Sequence, residues 1–222
     1  MFLIRVLPAL AATVALAAIH AEETQQLPVV FTDDFEKGAT QWEPTDAKAW
    51  KLVKSEKNSY YRLAGRSNYK PPFRSPTSIS LVKDVVVGDF IMDVQVQSTG
   101  KDVPHRDLCF FFGHQGPDQF YYVHIAKRAD DHANQIFIVN KAPRVKISQE
   151  STKGTPWDDG WHHVRIVRKV SDGSIAVYFD DMTRPIMRAK DKTFTWGRVG
   201  VGSFDDTGNF DDFKLRGIRI KK

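Results

Sequence analysis

The chain is 222 residues long, with a formal net charge of +5 and one cysteine. That length is ample to bury a core without covalent staples, and the lone Cys109 excludes an intrachain disulfide. The Lys and Arg residues are scattered, with no block of five or six. The positive charge therefore reads either as a solvated basic surface or as attraction to an anionic polymer, and no nucleic-acid motif accompanies it.

Residues 1–21 have the organisation of a secretory signal peptide. A short basic start ends at Arg5, an Ala-rich apolar stretch follows, and Ala21 closes a small-residue cleavage site. The apolar stretch is shorter than the about 20 residues of a membrane span, and no second one follows. The expectation is an exported protein, secreted or periplasmic, in which residues 22–222 form one domain. Retention of the leader as an anchor is the alternative.

Strand signals begin at residues 29–35 (VVFTDDF), which end in paired carboxylates, and continue at residues 50–53 and 60–64. Residues 67–76 (SNYKPPFRSP) hold three prolines and form a loop, either plain surface or the rim of a cleft. A short strand at 79–81 precedes residues 89–97 (DFIMDVQVQ). There alternation sends Phe90, Met92, Val94 and Val96 to one face and Asp89, Ile91, Asp93, Gln95 and Gln97 to the other.

The densest stretch is residues 108–144. Three runs, LCFFFG, QFYYVHIA and QIFIVN, are joined by turns at Gly116-Pro117-Asp118 and Ala142-Pro143 and by a polar loop. Their Phe, Tyr, Ile and Val content suits a pleated sheet. The period of two puts Phe120, Tyr122 and His124 on one face. Cys109 lies inside the first run as a small buried residue, with nothing nearby in sequence to activate a thiol.

Further strands are expected at residues 144–148, 161–168, 174–180, 197–204 and 210–220, with a loop over 149–160. Ser171-Asp172-Gly173 is a hairpin turn. The glycines of GRVGVGSF permit close backbone approach. A dozen or so short strands with no convincing helix predict an all-β antiparallel sandwich or barrel.

GWHHVRIVR, DGSIAVYFDD, GRVGVGSFDD and FDDFKL, with FTDDFEKGATQW near the start, resemble the concanavalin-A-like lectin/glucanase superfamily, in particular laminin-G-like and glucanase-type jelly rolls. The resemblance implies two curved antiparallel sheets with carbohydrate met on the concave one. It brings lectins, carbohydrate-binding modules, glycosidases, polysaccharide lyases and the 3-keto-disaccharide hydrolase domain into view. The laminarinase-type Glu-x-Asp-x-x-Glu is absent: Glu36, Glu43, Glu56 and Glu150 are isolated, whereas retaining hydrolysis needs two carboxylates about 5 Å apart.

Tyr122, His124, Asn140 and Arg144 are the leading site residues, with His105 and Arg106 at a strand entrance. Tyr122 could stack on or donate to a sugar, His124 titrates near neutrality, and Asn140 and Arg144 could orient an acidic group. Jelly-roll lyases use such residue types, which makes His124, Tyr122 and Arg144 the catalytic candidates; ordinary packing is the competing account. In the superfamily calcium is often held where first and last strands meet, which singles out Asp34 and Asp211, flanked by Asp33 and Asp212.

The leading functional expectation is a secreted carbohydrate-binding domain for an extracellular polysaccharide or oligosaccharide, neutral or anionic. The alternatives are a glycan-active enzyme on the same face, either a 3-keto-glycoside-type hydrolase or an acidic-polysaccharide lyase, and a protein-binding adhesion module.

Overall fold

A computed structural model describes residues 27–221; the expected signal peptide falls outside them. The chain runs through sixteen strands: β1 (Val29–Asp33), β2 (Trp42–Pro44), β3 (Trp50–Lys54), β4 (Ser59–Leu63), β5 (Ser78–Val82), β6 (Val87–Ser98), β7 (Asp107–Gly116), β8 (Gln119–Ala126), β9 (Gln135–Asn140), β10 (Val145–Lys146), β11 (Ser148–Ser151), β12 (His162–Arg168), β13 (Ser174–Phe179), β14 (Met187–Lys190), β15 (Arg198–Ser203) and β16 (Gly208–Arg219). Among the described residues the helical element is a single 3-10 turn, Ala47–Ala49. The strands form two antiparallel sheets. One has seven strands in the order β10-β9-β8-β7-β15-β5-β2. The other has nine, in the order β11-β14-β13-β12-β6-β16-β4-β3, with β1 added to β16.

The alternation expected along residues 89–97 holds. Phe90, Met92, Val94 and Val96 enter the core between the sheets and meet Leu108, Phe110 and Phe112 of β7 and Tyr121, Val123 and Ile125 of β8. The turn at residues 171–173 closes the β12–β13 hairpin, in register from Val164↔Phe179 to Arg168↔Ile175. Residues 144–148 do not make one strand. Val145–Lys146 adds to β9, and Ser148–Ser151 crosses to the other sheet to pair with β14. The loop expected over 149–160 therefore opens as a strand. β14 escaped the sequence because its four residues alternate as MRAK, too short a pattern to register.

On the outer face of the nine-stranded sheet, Asp93 accepts hydrogen bonds from His163 (2.9 Å), Arg165 (2.7 Å) and Arg216 (2.7 Å). Burial pushes this carboxyl up, but the three donors outweigh burial and hold it well below the usual carboxylate range. A carboxylate depressed in the folded state stabilises fully above its unfolded value, about 3.9. That contribution is lost as pH falls through and below that value. Asp93→Asn should cost roughly 2 kcal/mol at neutral pH. The gap to wild type in urea denaturation should close progressively below about pH 4; a gap independent of pH would refute the assignment.

The seven-stranded sheet is covered on both faces. Its outer face carries a second, smaller core of Ile79, Leu81, Cys109, Phe111, Phe120, Tyr122, Phe137 and Val139, against which Tyr69 and Phe204 pack. Tyr69 belongs to the Pro-rich segment, which thus serves as part of a roof. Along β15, Val199 and Val201 face the main core, and Gly200 and Gly202 face outward beneath the roof.

Candidate functional site

β7 and β8 place Cys109 directly across from His124. The period of two adds Asp107 and Tyr122 to the same face. Phe204, just beyond β15, lies flat over the His124 ring with centroids 6.0 Å apart and planes 15° apart. Arg144 enters from the turn before β10. Its guanidinium lies between Phe137 and Phe204, 4.7 and 4.6 Å from the ring centroids, and donates to the Tyr122 hydroxyl at 2.8 Å. Its backbone N–H donates to the Arg74 carbonyl in the roof. Arg144 is half-buried and forms an ion pair with no carboxylate among the described residues. A planar cation stacked between rings and short of a counter-ion is well placed to take a carboxylate or sulfate from outside.

Below Arg144 lies a polar cluster. Asp107 is fully buried and accepts from the Phe204 N–H (3.1 Å), Ser203 Oγ (3.2 Å) and Cys109 Sγ (3.3 Å). His124 Nε2 lies 3.2 Å from Asp107 Oδ2, and Nδ1 donates to the His132 carbonyl at 3.0 Å. Burial pushes the Asp107 carboxyl up, but His124 beside it and the donors around it win, and it stays below its ordinary value. Burial and the charge of Asp107 push the Cys109 thiol up. Burial raises the Tyr122 phenol, offset in part by Arg144. At the rim, Asp206 accepts the Asp107 N–H at 2.9 Å, and burial together with the charges of Asp107 and Asp205 lifts it to about 6.

Of the residues expected at a site, Tyr122, His124 and Arg144 meet. The face on which Tyr122 could have met a sugar is instead a roofed core, as ordinary packing would have it. Tyr122 is 0% and His124 5% exposed, so neither can lie against a sugar in this arrangement, and Arg144 alone reaches the surface. Asn140 is exposed at the end of β9, apart from the cluster. His105 is exposed and bonded to Asp130 at 2.7 Å. Arg106 does not face outward: it is 2% exposed and turned inward onto Ser98 and the Asp158 carbonyl.

The expected calcium ligands do not assemble. Asp34 Oδ1 accepts the Glu36 N–H, and the Asp211 oxygens accept Asn58 Nδ2 and the Asp212 N–H. Asp33 caps Phe35 and holds the Trp42 indole N–H. Asp33, Asp34 and Asp212 do line one cleft, but Lys37 and Lys214 line it too, supplying positive charge where a calcium ion would bring it. Among the described residues, Asp107, Cys109 and His124 are the group of ligand-type side chains that converges. The sequence carried one signal for it: the period of two puts residues 107 and 109 on one face of their strand, and residues 122 and 124 on one face of the next.

No protein-family model matches the sequence, and no curated protein sequence matches it. Solved structures do share the architecture. The carbohydrate-binding module CBM66 from Bacillus subtilis superposes with a TM-score of 0.56 at 17% identity, covering 80% of this chain and 96% of that one. A Bacillus subtilis protein of unknown function with a galectin-like fold gives 0.61 at 10% identity, covering 88% and 98%. Winged bean acidic lectin, complexed with methyl-α-D-galactose, gives 0.57 at 12% identity, covering 86% and 98%. The fold is a concanavalin-A-like jelly-roll sandwich. Likeness at such identity speaks for the fold alone.

Proposed function

We propose that this chain is an exported, non-catalytic glycan-binding domain that meets an acidic polysaccharide over the roof of its seven-stranded sheet. Export would follow removal of residues 1–21, with residues 22–222 acting as one domain. Arg144 carries the reading: it is a half-buried, aromatic-stacked guanidinium without a carboxylate partner. Two further cations, Arg66 and Lys70, line a cleft in the roof loop beside Asn68 and Tyr69. Polar donors next to an aromatic ring suit a sugar with an acidic substituent. A carbohydrate-binding module and a lectin among the similar folds support a sugar over other anions.

The test is calorimetric titration with neutral and acidic polysaccharides. Acidic ones should bind, more weakly as salt rises. Arg144→Ala should weaken binding by tenfold or more, about 1.4 kcal/mol. Arg144→Lys should not restore it, because an ammonium cannot lie flat between Phe137 and Phe204. Equal binding by wild type and folded Arg144→Ala would refute the reading.

Asp206 favours a second reading, a glycan-active enzyme on the same face. Asp206 is a half-buried carboxyl at the rim, bonded to the Asp107 N–H at 2.9 Å, and a carboxyl so placed is a candidate to exchange a proton with a bound sugar. Release of reducing ends or unsaturated sugars by wild type, abolished in Asp206→Asn, would establish it over the binding module.

A further inference from the structure

The cluster beneath Arg144 has a geometry that ion pairing does not explain. His124 Nδ1 faces a carbonyl oxygen, His132 O at 3.0 Å, and a carbonyl only accepts, so Nδ1 carries the hydrogen. In neutral imidazole the lone pair is then on Nε2. Nε2 lies 3.2 Å from an Asp107 oxygen, so two electron-rich atoms face each other in a fully buried site. A cation must stand between them. A proton does so poorly, because the contact falls outside hydrogen-bond geometry and leaves the buried Nε2 without a hydrogen-bond partner. A tetrahedral metal ion does it well: it sits off the line joining two of its ligands, so each ligand's lone pair points at the ion rather than at the other ligand.

The third side chain agrees. Cys109 Sγ is 3.3 Å from the same Asp107 oxygen, and the three ligand atoms all lie within 4.8 Å of one another. Tetrahedral zinc, with bonds of about 2.0–2.1 Å to N and O and about 2.3 Å to S, sets its ligand atoms about 3.3–3.6 Å apart. The observed separations of 3.2 and 3.3 Å are close to that. Outer partners hold the ligands in place. The His132 carbonyl sets the His124 tautomer and ring angle, and Ser203 Oγ and the Phe204 N–H hold Asp107. Such support is the usual companion of a metal-bound imidazole and carboxylate.

We propose that Asp107, Cys109 and His124 bind a zinc-class divalent cation. The donor set selects the metal: a thiolate and an imidazole suit zinc, while calcium and magnesium prefer all-oxygen ligands. Binding releases the Cys109 thiol proton, together with any proton on His124 Nε2. Three protein ligands leave one tetrahedral position for water or another small ligand. The site lies under Arg144 and Phe204 and stands whether or not the roof above it takes a glycan.

The test is Zn2+ titration of the full chain against a chromophoric chelator, with Co2+ as a spectroscopic probe. One equivalent of Zn2+ should bind and raise the melting temperature, and the Co2+ form should show a thiolate-to-metal charge-transfer band. Cys109→Ser and His124→Gln, confirmed as folded by near-UV circular dichroism, should bind at least about 100-fold more weakly, and Cys109→Ser should lose the band. Two results overturn the proposal. One is the absence of the charge-transfer band in wild type exposed to excess Co2+, which needs no variant to fold. The other is undiminished Zn2+ affinity in folded Cys109→Ser, which would put the ion on other histidines.

Discussion

Gly202→Ala should cost roughly 4 kcal/mol, a loss large enough to unfold a marginally stable domain. β15 lies inside the seven-stranded sheet, between β7 and β5. A Cβ on Gly202 would come 1.9 Å from the Ser78 carbonyl oxygen, 2.9 Å from the Ser78 carbonyl carbon and 3.1 Å from the Phe111 ring. The first two are backbone atoms of a paired strand, so no side-chain rotation relieves the contact. β5 must move, and with it Ile79 and Leu81 leave the second core. Gly200 has the same problem, with the Ser80 carbonyl oxygen 2.2 Å away. Gly65 is the control: nothing lies within 4 Å of its Cβ position, and alanine there should be neutral or stabilising by up to about 1 kcal/mol. Urea denaturation decides it. The Gly202→Ala midpoint should fall with unchanged slope, whereas a midpoint within about 1 kcal/mol of wild type would mean that β5 has slack the packing does not suggest.

The same glycines show how far the sequence could be read. GRVGVGSF pointed to close backbone approach, and the structure shows which backbone is approached. Period-two patterns were informative wherever one face met the main core and the other met water. That is why β6 and the β12–β13 hairpin fall where expected. At β7 the misleading signal was a different one. Leu108 to Phe112 are apolar without alternation, the mark of a strand covered on both faces, yet the polar residues nearby suggested a face that meets sugar. The cover comes from the Pro-rich loop, from Phe204 and from Arg144, which are distant in sequence, and no local pattern announces such a roof. Parity brought Tyr122 and His124 together correctly. Their burial, and the arrival of Asp107 and Cys109 beneath Arg144, depend on strand pairing. Charged residues were the least legible, since an arginine between strands reads the same whether it turns out or in.

Arg106 is that case, and its replacement should be nearly as damaging as that of Gly202. It immediately precedes β7, the central strand of one sheet, and reaches into the other. Nε donates to Ser98 Oγ at 3.0 Å, and the two N–H bonds of one terminal nitrogen are shared among the Ser98 carbonyl (2.7 Å), the Asp158 carbonyl (2.9 Å) and Asp159 Oδ1 (2.8 Å). Ser98 ends β6, and residues 158–159 lead into β12, so one guanidinium ties three chain segments across the sandwich. Asp159 is almost fully exposed and contributes little to holding a buried cation; the two carbonyls and the Ser98 hydroxyl do most of it. Arg106→Ala removes the donor and most of the volume and leaves those acceptors unpaired, which should cost roughly 3–5 kcal/mol. Arg106→Lys should recover less than half, because a single ammonium on a shorter fork cannot span the same acceptors. Glycan binding by the folded fraction should be unchanged in Arg106→Lys, in contrast to Arg144→Ala. If Arg106→Lys instead kept full stability and lost binding, Arg106 would belong to the ligand face, and the division between a structural Arg106 and a ligand-facing Arg144 would fail.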